Sequence, residues 1–146
     1  MGRLASRVAK MLLEGKRVVV LYAEDIVVTG TSKRSIMEKF YKRLRLRSNV
    51  NPRRHGPFIP RSPEGIFRRV VRGMLPRRKP KGKEAYRRLR VYRGNPENIP
   101  SDRLVVFEDA RRRKFNPYPY MYLKEIARLI GWVPVEERVR RWVSSE

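Results

Sequence analysis

The alternation of apolar and basic positions predicts an amphipathic helix at residues 66–75, near the middle of the chain. At about 100° per residue, one arc of this helix collects the apolar side chains, namely Ile66, Phe67, Val70, Val71 and Met74. The opposite arc collects three arginines, namely Arg68, Arg69 and Arg72. Residues 62–64 supply an N-cap serine, a first-turn proline and a first-turn acid, and Pro76 ends the helix. One face therefore suits a protein core, and the other suits a negatively charged partner.

The first 44 residues carry the periodicities of alternating helices and strands. The elements predicted there are, in order, a helix at 4–12 closed by Gly15, a strand at 18–23, a short strand at 26–28 and a helix at 36–44 capped by Ser32. Because the run at 18–23 is apolar throughout, we predict a strand that is buried on both faces, as in a parallel sheet. Strands that alternate with helices indicate an α/β fold.

The rest of the chain is predicted to consist of shorter elements separated by loops. The elements predicted there are, in order, an irregular arm at 49–62, a basic loop at 77–83, a short helix at 84–89, a short strand at 90–92, a turn at 94–96, a strand at 104–107, a loop at 116–120, a helix at 122–130 and a last helix from Pro134. Four prolines or glycines interrupt the arm. An arm of this length inside a compact domain is usually functional or disordered.

The charge of the chain is strongly positive and unevenly placed. Its 146 residues include 37 Lys and Arg against 14 Asp and Glu, which gives a formal net charge of +23. Residues 42–93 alone hold 19 of the basic residues and only two acids, Glu64 and Glu84. Such a charge repels itself in a compact protein, and its natural complement is a polyanion. Nucleic acid is the first expected partner, and an anionic membrane surface is the second.

The composition also excludes several classes of protein. The chain has no cysteine, which excludes disulfides, thiolate zinc sites and cysteine nucleophiles. This fits an intracellular protein. No apolar run reaches the ~18 residues of a membrane span, and three basic residues interrupt residues 1–13, where a signal peptide would lie. We therefore expect a cytoplasmic protein without a membrane partner.

The middle segment has the composition of an RNA-binding surface. Aromatic residues are interleaved with its basic residues, namely Tyr41, Phe58, Phe67, Tyr86 and Tyr92. Guanidinium groups match the geometry of phosphates and stack on bases. An extended basic arm can also follow an irregular RNA surface that a helix could not. These features favour nucleic acid as the partner, and RNA over DNA.

The residues that could support catalysis are better explained by other roles. Glu24 and Asp25 are adjacent, so on a strand their side chains diverge, and a turn between two strands is favoured over a metal site. His55 is the only histidine, and catalysis would need a nucleophile beside it. No glycine has the spacing of a phosphate-binding loop. We predict no enzymatic activity, no cofactor and no small-molecule substrate, and we expect His55 to contact phosphate or base. A nucleic-acid enzyme is a further alternative, and it would need metal ligands that the sequence does not show.

A second possible nucleic-acid element is the helical pair at 123–142. Ala127 and Gly131 have the spacing of the first half of a DNA-reading helix-turn-helix. The second half fits poorly, because Glu137 and Arg140 stand where apolar residues should face inward. A DNA-binding transcriptional regulator that uses this pair is the alternative function. The favoured role is a terminal helical hairpin that packs on the domain or on a neighbouring protein.

Five short motifs, in order along the chain, resemble those of one protein family. They are GRLAS at 2–6, Ala23-Glu24 with Thr29-Gly30, Asn51-Pro52 with Gly56-Pro57, VRGMLP at 71–76, and Gly82 with LRVY at 89–92, Gly94 and Pro96. Together they resemble large-subunit ribosomal protein 13 over residues 2–96. The remaining tail is similar to that of the archaeal and eukaryotic members.

The resemblance implies an α/β fold with a small, mostly parallel sheet flanked by helices, basic arms and a C-terminal helical extension. Residues 1–96 would form the core, with the arm at 49–62 and the loop at 77–83, and residues 97–146 would extend the same single domain. It also implies a structural, non-enzymatic protein of the large ribosomal subunit that binds large-subunit ribosomal RNA and helps its assembly. Neighbouring ribosomal proteins would be further partners, with the C-terminal helices as a candidate contact.

The RNA contacts implied by the resemblance fall on basic positions that match the family's loops and helix faces. They are Arg3, Arg53, Arg54, Arg61, Arg68, Arg69, Arg72, Arg77, Arg78, Lys79, Lys81, Lys83 and Arg88. His55 completes the candidate site, although it stands as an extra residue before Gly56 when compared with the family. Family members also usually have a strand before the motif at 2–6. We therefore hypothesise that the start of this chain is mis-assigned.

Overall fold

Short helices and strands surround one apolar core. A computed structural model describes residues 1–96, 98–100, 104–112, 117–135 and 137. The helices are α1 (Gly2–Leu13), α2 (Lys33–Leu44), α3 (Pro63–Met74), α4 (Pro80–Arg87) and α5 (Leu123–Leu129). The strands are β1 (Val18–Val20), β2 (Val27–Thr29), β3 (Leu89–Val91) and β4 (Tyr120–Tyr122), and 3-10 helices lie at Ala23–Asp25 and Glu108–Ala110. The predicted α/β fold with a helix in its C-terminal part is confirmed.

The strands form two small sheets. β1 and β3 are parallel, in a register that begins with Val18 opposite Leu89. β2 and β4 are antiparallel, with Val27 opposite Tyr122. The parallel sheet is confirmed, whereas the antiparallel sheet contains a strand, β4, that is not among those predicted. β4 has only three residues, too few for a period of two to stand out beside the helix that follows it.

The core lies where the helices meet the parallel sheet, and α1 packs against α3. Its large, fully buried side chains include Val8, Leu12, Ile36, Phe67, Val71, Leu89, Leu123 and Ile126. The predicted core face of α3 is confirmed for Ile66, Phe67 and Val71, which are at most 5% exposed. Met74 is 42% exposed, so the predicted core face is wrong at this position, although Leu75 beside it is 5% exposed.

The strand predicted at 18–23 is shorter and less buried than expected. Tyr22 adopts a left-handed conformation with φ of 52°, which takes the chain out of the extended region after β1. A 3-10 helix follows at once at Ala23–Asp25. Val19 is 46% exposed, so the prediction of burial on both faces is wrong. On this side of the sheet Val19 pairs with the exposed Arg90.

α4 begins four residues before the helix predicted at 84–89 and takes in part of the predicted loop at 77–83. Pro80 lies in its first turn, where the fixed φ of proline favours a helix and the missing N–H is not needed. Lys81 and Lys83 therefore project from a helix rather than from a loop. Gly82 is buried because it lies directly against the backbone of Pro76.

α5 joins the C-terminal region to the core. Leu123, Ile126 and Ala127 of this helix are buried. Gly131 has φ of 88°, and the helix ends before it, close to the predicted end. The last helix predicted from Pro134 falls mostly outside the described residues. Among those residues, no helix has both the length and the apolar character that crossing a membrane requires.

The prediction of a strand at 104–107 is wrong. These four residues are described, and they adopt no regular structure. Val105 is 75% exposed and Val106 is 55% exposed, so the apolar run has no sheet to enter. An apolar run forms a strand only where a partner strand is available. Among the described residues, no strand lies beside this segment.

Candidate nucleic-acid interface

The basic arm is an ordered turn followed by a segment that returns to α3. The amides of Arg54 and His55 both donate to the carbonyl of Asn51, at 3.0 and 2.9 Å. Asn51 and Gly56 adopt positive φ of 54° and 131°, which only such residue types accept readily. The two tight bends place Arg53, Arg54 and His55 on an exposed tip.

The C-terminal end of the arm is held against α3. Arg69 Nη1 donates to the carbonyl of Phe58 at 3.0 Å. Pro60 lies so close to Gly65 that a Cβ on that glycine would be 2.7 Å from the Pro60 ring. These contacts fix the arm's position relative to the helix, so that Arg61 and the tip are presented from a defined place.

The exposed face of α3 continues into the segment that precedes α4. Arg69 and Arg72 are exposed on the helix. Together with Arg77, Arg78 and Lys79 they line an open cleft of about 480 Å³. The structure therefore brings together five of the predicted cations around one surface. Lys81 and Lys83 extend this surface along α4, whose first turn contains no acidic residue.

Four of the candidate arginines have part of their guanidinium group engaged by the chain itself, and one of them is Arg69, which donates to the carbonyl of Phe58. Arg88 Nη2 donates to the carbonyl of Leu12, near the end of α1, at 2.9 Å. Arg3 donates to the carbonyls of Asp109 and Arg111 at 3.0 and 3.2 Å. Arg68 lies over the ring of Tyr86, with its Cζ 5.3 Å from the ring centre. These arginines therefore stabilise the fold through internal contacts, although they belong to the candidate RNA-binding surface.

The ion pairs of the described residues leave the candidate site out. They join Arg7 to Asp109, Lys16 to Glu14, Arg34 to Glu38, Arg93 to Glu64, Arg111 to Glu108, Lys124 to Asp25 and Arg128 to Glu137. Seven acidic side chains are thus paired with cations that lie outside the candidate site. Within the part of the chain that the structure describes, no ion pair therefore joins an acid to a residue of the candidate site.

The acidic pair Glu24 and Asp25 has the predicted role in a turn. Glu24 Oε1 accepts a hydrogen bond from the amide of Gly94 at 2.8 Å. Asp25 Oδ1 accepts one from Lys124 Nζ at 2.9 Å, and this bond raises the pKa of Lys124. The two carboxylates therefore serve different partners. Among the described residues, no group of three or more His, Cys, Asp or Glu side chains could hold a metal ion.

One basic residue of this surface was not among those predicted. Arg47 lines a cleft of about 450 Å³ between the end of α2 and the arm, together with Arg53 and Arg61. Its signal in the sequence is the alternation of Leu and Arg over 43–47, which continues past the end of the helix. The sequence shows that this run is basic. Only the fold shows that it lies beside the arm.

Comparisons with known proteins agree with this picture of the chain. The model of the family described as Ribosomal protein L13 matches residues 1–98. The large ribosomal subunit protein uL13 of Methanocaldococcus jannaschii is 44% identical over 132 residues, which cover 90% of this chain and 90% of the relative. That of Archaeoglobus fulgidus is 41% identical over 133 residues, covering 90% and 82%.

A eukaryotic relative is similar to the same extent. The large ribosomal subunit protein uL13 of Caenorhabditis elegans is 42% identical over 133 residues, which cover 90% of this chain and 65% of the relative. The resemblance noted in the sequence motifs is thus supported over most of the chain, in archaeal and eukaryotic relatives alike. The chain belongs to the ribosomal protein L13 family.

Proposed function

We propose that this chain is a structural constituent of the large ribosomal subunit, where it binds large-subunit ribosomal RNA and helps the subunit to assemble. The names of its relatives assign them to that subunit. The observation that carries the proposal to this chain is the grouping of exposed cations on the arm, α3 and the segment before α4, away from the ion pairs. A polyanion with a folded surface is the complement of such a group.

RNA binding through this surface is largely electrostatic. Each phosphate that meets an arginine or lysine releases condensed counterions, which supplies affinity without reading the base sequence. The ordered arm and the rigid face of α3 hold the cations at fixed positions, so the shape of the RNA is selected. The α/β core serves as the support that keeps these positions constant.

The candidate residues divide into two proposed roles. Ten that lie on exposed positions contact the RNA directly, namely Arg53, Arg54, His55, Arg61, Arg72, Arg77, Arg78, Lys79, Lys81 and Lys83. Arg3, Arg68, Arg69 and Arg88 combine an RNA contact with an internal one. Their guanidinium groups have several donors, of which the internal contacts use only some.

Neighbouring ribosomal proteins are further partners of this chain. The region beyond residue 96 is the proposed contact with them, through α5 and the residues that follow it. Leu129 and Val135 are more than half exposed there, as an additional apolar contact would require. We propose no enzymatic activity, no cofactor and no small-molecule substrate, and a cytoplasmic location within the subunit.

Sedimentation of a native lysate through a sucrose gradient, with stepwise salt washes, tests this proposal. The chain should sediment with the large subunit and leave it only at high salt, because counterion release makes the affinity fall steeply with salt. A chain that stays at the top of the gradient at low salt would contradict the proposal. A chain that leaves with chromosomal DNA would instead support the helical pair at 123–142 as a DNA-binding element.

A further inference from the structure

The cleft between the end of α2 and the basic arm combines an apolar lining with a cationic rim. Its apolar lining is formed by Leu44, Leu46, Pro52, Pro57, Phe58 and Ile59. Arg47, Arg53 and Arg61 also line it. Its volume of about 450 Å³ lies within the range of roughly 300–1,000 Å³ that small-molecule pockets have. Neither the fold nor the general charge of the surface accounts for this combination.

Phe58 is the most unusual residue of this cleft. This residue is 65% exposed, although its segment is held against α3. Its carbonyl accepts the hydrogen bond from Arg69 at 3.0 Å, so the backbone that carries the ring is fixed to α3. An aromatic ring on a fixed backbone is a ready stacking surface, and little conformational entropy is lost when a flat group packs on it.

The rim gives the chemistry of the occupant. Within the described residues, Arg47, Arg53 and Arg61 have no hydrogen-bonded or ion-paired partner for their side chains. Residues 42–63 contain no Asp or Glu, so no acid of this segment competes for them. A ligand that places a flat apolar group against Phe58 and a negative charge at the rim would satisfy both parts of the cleft.

We propose that this cleft binds one unpaired nucleotide of RNA, with its base stacked on Phe58 and its phosphates at Arg47, Arg53 and Arg61. The inference rests on the proposed function and deepens it, because it names the structural class of RNA that the arm selects. In a duplex the faces of the bases are covered by their neighbours, whereas a bulged or looped base is free to stack on an aromatic side chain. The arm thus recognises an unpaired position rather than a continuous helix.

Two RNA probes distinguish this inference from general electrostatic binding. The full chain is titrated with a labelled oligouridylate of a dozen nucleotides, and separately with a perfectly paired RNA duplex of the same length. Phe58→Ala should weaken binding of the oligouridylate roughly ten-fold and leave binding of the duplex unchanged. Phe58→Tyr should restore the affinity. The slope of log K against log salt should not change, because no phosphate contact is lost.

A matched control is available in the same arm. Val50 is 77% exposed and does not line the cleft, so Val50→Ala should bind both probes as the wild type does. Equal losses on both probes for Phe58→Ala, or the same effect from Val50→Ala, would overturn the inference. Displacement of the oligouridylate by polyglutamate with an affinity that depends on Phe58 would overturn it as well, in favour of an acidic protein segment.

The outcome of this titration is independent of the sedimentation test of the ribosomal role. A chain that sediments with the large subunit but shows no dependence on Phe58 would keep the proposed function and lose the nucleotide site. A chain that shows the dependence on Phe58 but never sediments with the subunit would keep the nucleotide site and lose the ribosomal role.

Discussion

Gly82 of α4 lies against the carbonyl group of Pro76, so closely that a Cβ atom on Gly82 would be 2.2 Å from the carbonyl oxygen. The contact brings the start of α4 directly onto the end of the segment that closes α3. Both residues belong to the motifs that resemble the family. The structure gives a physical reason for a glycine at position 82. Only glycine lets the two backbones approach in this way, and the approach sets the position of Arg77, Arg78 and Lys79.

We expect Gly82→Ala to destabilise the protein by about 1–3 kcal/mol, because the contact is with a backbone atom and neither segment can move away without disturbing the core. Chemical denaturation followed by circular dichroism measures this change. Gly73→Ala is the matched control, since a Cβ there meets no atom within 4 Å. That variant should be unchanged or slightly more stable. Equal stability of Gly82→Ala and the wild type would mean that the approach is not a constraint.

Elements whose apolar residues repeat at a regular spacing could be predicted from the sequence. Capping and turn residues helped to locate where those elements begin and end. α1 and α3 were predicted close to their observed ranges because their apolar residues repeat at helical spacing. The start of α4 was missed because Pro80 and Gly82 are also typical of loops. Only the tertiary contact of Gly82 decides between the two. The strand predicted at 104–107 failed for the opposite reason, since its apolar run has no neighbouring strand.

The candidate site was predictable as a charge pattern but not as a surface. The excess of basic residues over 42–93 identifies the segment that meets a polyanion. It does not reveal that Arg88 donates to α1, nor that Arg69 holds the arm by the carbonyl of Phe58. These details depend on which residues the fold brings within hydrogen-bonding distance. The cleft that contains Phe58 is the clearest case, because it brings together Arg47 and Arg61, which are far apart in the sequence.

Arg72 provides a direct test of the electrostatic part of RNA binding. It is exposed on α3 and lines the cleft beside Arg77 and Arg78, and its side chain makes no hydrogen bond or ion pair among the described residues. We expect Arg72→Gln to bind ribosomal RNA more weakly and to lower the slope of log K against log salt by about 0.7–0.9, the contribution of one phosphate contact. The thermal unfolding midpoint should not change.

The control for this variant is Arg34→Gln. Arg34 is also on a helix surface, but it is paired with Glu38 and lies outside the basic segment at 42–93. Its substitution should leave both the affinity and the salt slope as they are in the wild type. A fall in stability for Arg72→Gln, with unchanged affinity of the folded fraction, would show that Arg72 is structural.

Arg88 should behave differently, because its guanidinium group donates to a carbonyl at the C-terminal end of α1. A cation at this end also interacts favourably with the helix dipole. We expect Arg88→Met to lower the free energy of unfolding by about 1–2 kcal/mol. Arg87→Met is the neighbouring control, since Arg87 is exposed and makes no such bond among the described residues. A loss of RNA affinity without a loss of stability would assign Arg88 to the interface alone.

Arg3 fastens the 3-10 helix at Glu108–Ala110 to α1, since it donates to the carbonyls of both Asp109 and Arg111. Arg7 adds a hydrogen bond to Asp109 Oδ2 at 2.7 Å. These are exposed contacts, so their effect on global stability should be small. Their effect on local opening should be larger, because the segment buries little apolar surface of its own.

We therefore expect Arg3→Met to accelerate amide exchange at Ala110 and Arg111, whose amides donate to Phe107 and Glu108 in this turn. The global unfolding free energy should change by less than about 1 kcal/mol. Hydrogen exchange measured by mass spectrometry on the peptide that contains residues 108–111 resolves the two quantities. If exchange in that peptide stayed at the wild-type rate, the segment would be held by contacts other than those of Arg3. The proposed RNA contact would then be the role that remains for Arg3, the arginine of the GRLAS motif.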